Sequence, residues 1–266
     1  MIKDLNEANK VLEESKHYLD SFDSKYIKDF MNNMSNFYDD NTTYPFKNVG
    51  IAKEIQVKIA YNTGTKTIKI AFECSRKNRV NRRLFNVNWD WLGNLLYFPT
   101  KCNPYKDMNV EFETHLGFTM IWKSVEDYIK DQVSNMIKEH ADTKNIWIFG
   151  WSQGGATAQF CHEFCRYNFP TLETTTMTVG SPRILCTIKD PLIKADVVQR
   201  FKRLVMFANN NDIVPTAPFD NLGFSHIVPL YKVGKKFNFF KMLLPWIYHL
   251  KDTYMKEINK LTEDKK

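Results

Sequence analysis

Gly150-Trp151-Ser152-Gln153-Gly154 places one serine between two glycines, each two residues away. A serine hydroxyl is a weak nucleophile at neutral pH. It becomes an effective one when a tight turn lifts it clear of the chain and a base stands beside it. The residues before it, Ile146-Trp147-Ile148-Phe149, are apolar and read as a short buried strand. A helical run from Ala156 to Arg166 follows. Strand, turn and helix in that order are the setting of a nucleophile elbow. The glycines let neighbouring backbones pass close to a strained serine. The first N–H groups of the helix then point toward an oxyanion forming at that place. The five-residue pattern alone is common, and its bland reading is a glycine-rich turn with an incidental serine. The flanking elements are what point to covalent acyl chemistry.

A serine nucleophile needs an imidazole, and the imidazole needs an orienting carboxylate. In elbow hydrolases these follow the serine in the order acid, then histidine. Asp212 is the best acid by position. It follows an apolar strand running from Arg203 to Ala208 and lies in Asn211-Asp212-Ile213-Val214-Pro215, where proline restrains the loop. An Asx-turn at a strand end is the structural alternative for such a residue. Asp190, Asp196 and Asp220 do not directly follow an apolar strand. Of the six histidines, His17, His115, His140 and His162 precede Asp212 and chain order disfavours them. His226, ending Gly-Phe-Ser-His, and His249, after Pro245-Trp246-Ile247-Tyr248, remain. The residues themselves leave these two even.

The elements that must position these groups alternate through the second half of the chain. A helix over Phe118–His140 precedes the nucleophile strand. Strands over Thr174–Val179, Arg203–Ala208 and Phe224–Tyr231 follow it, and a helix over Phe237 to about Leu261 is broken or kinked at Pro245. Earlier, Ile55, Val57 and Ile59 alternate with polar residues, Asn62-Thr63-Gly64 signals a turn, and Thr67–Phe72 completes a hairpin. Leu5 to Met34 reads as one or two amphipathic helices, Asn32 to Pro45 as a loop, and Cys74 to about Thr114 as irregular. The class is therefore α/β with a mostly parallel central sheet flanked by helices. Sites in such sheets gather at the carboxyl ends of strands. Ser152, Ser75 and Asp212 each follow a predicted strand and fall on that one edge. The expected organisation is an N-terminal helical segment, 1–45, packed on a main domain, 46–266.

Composition bounds the function. With 266 residues, 43% apolar content and twenty Phe, the chain can bury a large core and still line an apolar cleft. The formal charge of +7 favours anionic partners. The Lys and Arg are nevertheless spread along the chain, which argues against a nucleic-acid site. Five cysteines at scattered positions indicate no disulfide framework, and Cys161 with Cys165 lacks the second pair a zinc site would need. The N-terminus has no apolar h-region and no run reaches membrane-span length, so a cytoplasmic protein is expected, with release by a non-standard route as the exception. No metal or organic cofactor and no obligate protein partner is implied.

The chain resembles the class 3 lipases, the fungal triacylglycerol lipase-like branch of the α/β-hydrolases. The resemblance runs from about Ile55 to Tyr254 through landmarks in the family's order. These are Ala71-Phe72-Glu73-Cys74-Ser75, Asp90-Trp91-Leu92-Gly93-Asn94-Leu95, His115-Leu116-Gly117-Phe118, the elbow, Val179-Gly180-Ser181-Pro182-Arg183, and Asn211-Asp212-Ile213-Val214-Pro215. It implies an α/β-hydrolase fold, Ser152 as nucleophile and Asp212 as acid. It also separates the histidines. A Gly-Phe-x-His setting like that of His226 is non-catalytic in the family, whereas His249-Leu250-Lys251-Asp252-Thr253-Tyr254 resembles the segment carrying the base. The implied oxyanion hole is the Gln153 N–H with Ser75, which ends the triplet that reads Arg-Gly-Ser/Thr in the family. Here that triplet is Glu73-Cys74-Ser75.

The resulting expectation is a lipase or esterase acting on a lipid or other carboxylic ester. The alternatives are a catalytically weak lipase-like scaffold that binds lipid or a protein, motivated by the altered triplet, and a thioesterase or acyltransferase using the same residues. Trp89, Trp91, Leu92, Leu95, Leu96 and Phe98 lie where the family places its lid. The run Phe237–Trp246, interrupted by Lys241, is suited to lining an acyl pocket or to a transient contact with a membrane or lipid interface.

Overall fold

A computed structural model describes residues 2–50, 55–73, 99–102, 112–238 and 245–263. Two helices come first, α1 (Leu5–Ser15) and α2 (Ser24–Asp39). Each starts at an aspartate whose carboxylate accepts from first-turn N–H groups: Asp4 from Asn6 and Glu7, and Asp23 from Tyr26. Then follow β1 (Lys47–Val49), β2 (Ile55–Asn62), β3 (Thr67–Phe72), β4 (Pro99–Cys102) and β5 (Phe112–His115). Helices α3 (Leu116–Lys123) and α4 (Glu126–Glu139) lead to β6 (Asn145–Trp151), α5 (Gln153–Asn168), β7 (Glu173–Val179) and β8 (Leu185–Cys186). The chain continues through α6 (Pro191–Arg200), β9 (Leu204–Asn209), β10 (Phe224–Ser225) and β11 (Leu230–Val233). It closes with α7 (Pro245–Tyr248) and α8 (Lys251–Glu263).

The main sheet has the order β1-β2-β3-β6-β7-β9-β11. From β3 to β11 every pairing is parallel, and the antiparallel pairings lie at the β1-β2-β3 edge. Side chains alternate across this sheet with the two-residue period of a strand. Ile68, Ile70 and Phe72 of β3 and Ile146 and Ile148 of β6 pack with Trp122, Ile129, Val133, Phe160 and Phe164 of α3, α4 and α5. Ala71, Trp147 and Phe149 point the other way, onto Phe30, Met31 and Met34 of α2 and onto Tyr254 and Ile258 of α8. Both faces are covered, so β6 and β9 are nearly continuous apolar runs, whereas β7 between them buries four threonines. A second sheet, β10-β8-β5-β4, is antiparallel.

Several elements differ from the sequence expectation. The single helix expected over Phe118–His140 is two, α3 and α4. Ser124 Oγ donates back to the Ile121 carbonyl at 2.7 Å, and Val125 leaves the helical region at φ −120°, ψ −8°. Gly50 passes against this break, where a Cβ on it would stand 2.8 Å from Val125 Cγ1. The strand expected over Phe224–Tyr231 is also two, in different sheets, because Pro229 has no N–H to continue a ladder. Helix α2 runs on to Asp39, into the loop expected from Asn32, because Met34, Phe37 and Tyr38 find apolar cover. The segment read as irregular from Cys74 contains β4 and β5 where it is described. Helix α6 was not anticipated, although Asp190-Pro191 is a cap followed by a first-turn proline. Toward the C-terminus, α7 and α8 flank His249 and Leu250.

Candidate active site

Strand β6 and helix α5 meet at Ser152. Its backbone is left-handed, φ 59° and ψ −128°, a strained region for a residue with a Cβ. The N–H of Ser152 donates to the Val179 carbonyl at 3.1 Å, which fixes the turn to the end of β7. The glycines of the elbow answer to close backbone approach. A Cβ on Gly150 would stand 2.7 Å from Gly155 Cα, and one on Gly154 2.8 Å from the Glu73 carbonyl oxygen at the end of β3. Glycine at these two places lets the elbow seat against its neighbouring strand. Gln153 is the first residue of α5, so its N–H has no acceptor within the helix.

Three side chains converge here. His249 Nε2 lies 2.7 Å from Ser152 Oγ, and His249 Nδ1 lies 2.7 Å from Asp212 Oδ2. An ionised carboxylate only accepts, so Nδ1 carries the proton and Nε2 is left to accept from the serine. Asp212 follows β9, and its side chain is fully buried. All its partners are donors. Oδ1 accepts from the Val214 N–H at 2.9 Å, and Oδ2 accepts from Tyr254 Oη at 2.6 Å as well as from the imidazole. Tyr254 is itself buried and accepts from the Asn209 N–H at 2.9 Å. Burial, and then the adjacent Asp212 carboxylate, push its phenol well above the ordinary range, so it stays a donor.

The imidazole is framed from several sides. Trp151 Nε1 donates to the His249 carbonyl at 2.7 Å. Gly180, at the end of β7 with φ 59°, leaves just enough room. A Cβ there would stand 3.0 Å from Asp212 Oδ2 and from both His249 Cε1 and Nδ1. Only a residue without a side chain combines that backbone with that approach.

His226 is elsewhere. Its Nε2 donates to the Pro215 carbonyl at 2.7 Å, and its Nδ1 is buried with no partner among the described residues. Burial lowers its pKa to about 4, so the ring is neutral near pH 7. Its bond to Pro215 braces the loop that follows Asp212. Ser75 and Cys74, together with Trp89 to Phe98 and residues 239–244, lie outside the described residues. Glu73 is described and is 6% exposed, with its N–H on the Gln56 carbonyl.

The structure thus brings Ser152, Asp212 and His249 together and commits His226 Nε2 to the Pro215 carbonyl. Sequence reasoning gave no role to Trp151, Gly180 or Tyr254. Tyr254 was visible as the end of the His249–Tyr254 landmark, and Gly180 as part of Gly-Ser-Pro. Nothing local marked Trp151. Cys161, Cys165 and Cys186 are buried free thiols. Among the described residues no group of three or more His, Cys, Asp or Glu could hold a metal ion, and no helix is long and apolar enough to cross a membrane.

A family model, lipase (class 3), matches residues 85–222, just over half the chain. Solved structures of similar fold include the Rhizomucor miehei lipase propeptide complex. It matches at TM-score 0.63 and 19% identity, over 97% of this chain and 83% of that one. A triacylglycerol lipase whose catalytic centre is formed by a serine-protease triad matches at TM-score 0.57 and 23% identity, over 71% and 65%. The lipase from Rhizopus microsporus var. chinensis matches at TM-score 0.54 and 18% identity, over 71% and 60%. At these identities the structures share the fold.

Proposed function

This chain belongs to the class 3 lipase family, and from that premise we propose that it is a serine carboxylic-ester hydrolase acting on lipid or related acyl esters. One observation carries the reading. Ser152 Oγ, His249 and Asp212 form an unbroken hydrogen-bonded chain with both links at 2.7 Å. In the reaction, His249 Nε2 takes the proton as Ser152 Oγ attacks the acyl carbonyl. Asp212 stabilises the imidazolium that results and holds its tautomer. The Gln153 N–H, and Ser75 by resemblance, donate to the oxyanion. His249 then protonates the leaving alkoxide, which departs and leaves an acyl-Ser152. Water, deprotonated by the same nitrogen, releases the acid and restores the serine. No cofactor takes part.

A second reading, a catalytically weak scaffold, has one observation in its favour. Glu73 brings a buried acidic side chain to the strand end against which the elbow packs. Negative charge there would oppose an oxyanion.

A fluorophosphonate probe and an ester chain-length series separate the two. Wild type should label and turn over esters. Ser152→Ala should not label, and Ser152→Ala and His249→Ala should each lose at least about 10³-fold in kcat. His226→Ala should keep most of its activity. No labelling of folded wild type, beside a control esterase that labels, would remove the hydrolase reading and leave the scaffold.

A further inference from the structure

Helix α2 ends at Asp39 with no basic residue in its last turn. The carboxyl end of a helix carries partial negative charge and unpaired carbonyls, and cations belong there. Two lysines from distant parts of the chain supply them. Lys58 of β2 is 2% exposed and donates to the carbonyls of Phe37, Tyr38 and Asp40 at 2.8, 2.7 and 2.9 Å. Lys251 donates to Ser35 Oγ at 2.9 Å and to Asp39 Oδ2 at 2.6 Å, with its ammonium 5.5 Å from the Tyr38 ring centre.

The place of Lys251 is not explained by its own helix. It is the first residue of α8, the end where a cation is least favoured. Its side chain is 9% exposed, although lysine is rarely buried without a partner. Its hydrogen-bond partners are both on α2, and the exposed carboxylate of Asp252, on its own helix, stands farther off at 3.5 Å. Lys251 also lies two residues beyond His249, within about 8 Å of it along the backbone. The Leu250 side chain between them is exposed, and its carbonyl accepts from the Tyr254 N–H at 3.2 Å. Thr253 Oγ1 and the Tyr254 N–H tie this segment to α8, at the Ile247 and Leu250 carbonyls, and contacts to the rest of the fold come from the Trp151 indole at the His249 carbonyl and the Lys251 ammonium on α2.

We propose that Ser35 and Asp39 of α2, acting through Lys251, are positioning residues for His249. The N-terminal helix would then be a working part of the active site. The Asp39 carboxylate is 58% exposed, so its pair with Lys251 is screened and contributes little stability. Its value is geometric. Displacing a base by about 1 Å can cost about 10²-fold in rate. Release of the ammonium frees the chain two residues from His249, whereas substrate contacts are untouched. The signature is therefore a fall in kcat at constant KM.

The proposal rests on His249 being the base, so its test carries a readout independent of turnover. Lys251→Met keeps the aliphatic stem and removes the charge, and Asp39→Asn removes the carboxylate from an exposed position. Each should lower kcat about tenfold to a hundredfold with KM within about twofold. Lys251→Arg should retain most activity, and Asp39→Lys combined with Lys251→Asp should recover part of the loss of either single change. Ile27→Val, on the same helix, weakens α2 packing without touching the clamp and should leave kcat near wild type. In proton NMR, the downfield resonance of the His249 Nδ1–H bonded to Asp212 should broaden or vanish in Lys251→Met. A wild-type kcat and a sharp resonance in both Lys251→Met and Asp39→Asn would overturn the proposal. An Ile27→Val loss equal to theirs would do the same. Wild type that turns over no ester but shows the resonance, lost in Lys251→Met, would overturn the hydrolase reading and keep the clamp.

Discussion

Asp212→Asn is the sharpest probe of the site because every partner of that carboxylate donates. Oδ1 faces the Val214 N–H, and Oδ2 faces the Tyr254 hydroxyl and His249 Nδ1. An asparagine must place its NH₂ against one of these sets. If it faces Val214, a buried donor loses its acceptor, at about 1–3 kcal/mol of stability. If it faces His249, the imidazole must shift its proton to Nε2 and can no longer accept from Ser152. The second placement spares the backbone donor but leaves the enzyme in the wrong tautomer. A wrong tautomer of this kind costs about 10⁴-fold in kcat, roughly 5 kcal/mol of transition-state stabilisation. Tyr254→Phe calibrates the argument. It keeps the imidazole–carboxylate pair and removes one donor to Asp212, together with the acceptor of the Asn209 N–H. About tenfold in kcat is expected, with about 1–3 kcal/mol of stability. Steady-state hydrolysis of a chromogenic short-chain ester measures both, alongside urea unfolding to report stability. An Asp212→Asn protein with more than a tenth of wild-type kcat, or a Tyr254→Phe protein as inactive as Asp212→Asn, would refute this account of the carboxylate.

Two other consequences can be tested directly. Gly180→Ala should separate fold from activity: a left-handed alanine costs about 1–2 kcal/mol, and its methyl would wedge between Asp212 and His249, so a folded protein with little activity is expected from thermal melts paired with ester turnover. Acid stability should carry the mark of buried histidine. His226 titrates near 6.5 when unfolded and about 4 when folded, so the unfolded chain binds the extra proton in between and stability falls as pH drops from about 6.5 toward 4, by about 3 kcal/mol. Burial pushes His162 the same way, so urea midpoints against pH should show a steep acid slope that His226→Gln flattens only in part.

What was legible follows from how far each signal reaches. A run such as Ile146–Phe149 has no amphipathic period because both faces of its strand are covered, and length and flanking glycines identify it. Breaks were harder to see. The Phe118–His140 pattern keeps its apolar period across Ser124 and Val125, and Gly50, which packs against the break, lies more than seventy residues upstream. The loop reading of Asn32 to Pro45 holds from Asp40 to Pro45 and failed over Asn32–Asp39 for a related reason. Asn and Asp there do favour turns, but Met34, Phe37 and Tyr38 gain more by packing under the sheet, so tertiary contact extended the helix.

The same logic explains why the three converging residues were unequally visible. Ser152 and Asp212 stand one and three residues beyond strands whose composition announces them, so local pattern was enough to nominate them. His249 sits between two helices at no periodic position. Its place is set by Ser152, 97 residues earlier, by Trp151, 98 residues earlier, and, through Lys251, by Asp39, 212 residues before that lysine. No window of sequence contains those partners. Chain order could reduce the histidines to two, and resemblance could prefer one. What physically distinguishes them is that His226 has its Nε2 committed to the Pro215 carbonyl, whereas His249 is held so that its two nitrogens face a carboxylate and a hydroxyl. A general base of this kind is defined less by its own sequence than by the distant groups that fix its ring. Substitutions far from Ser152 in sequence, at Asp39, Gly180 or Tyr254, should therefore reach the chemistry more directly than changes at many nearer residues.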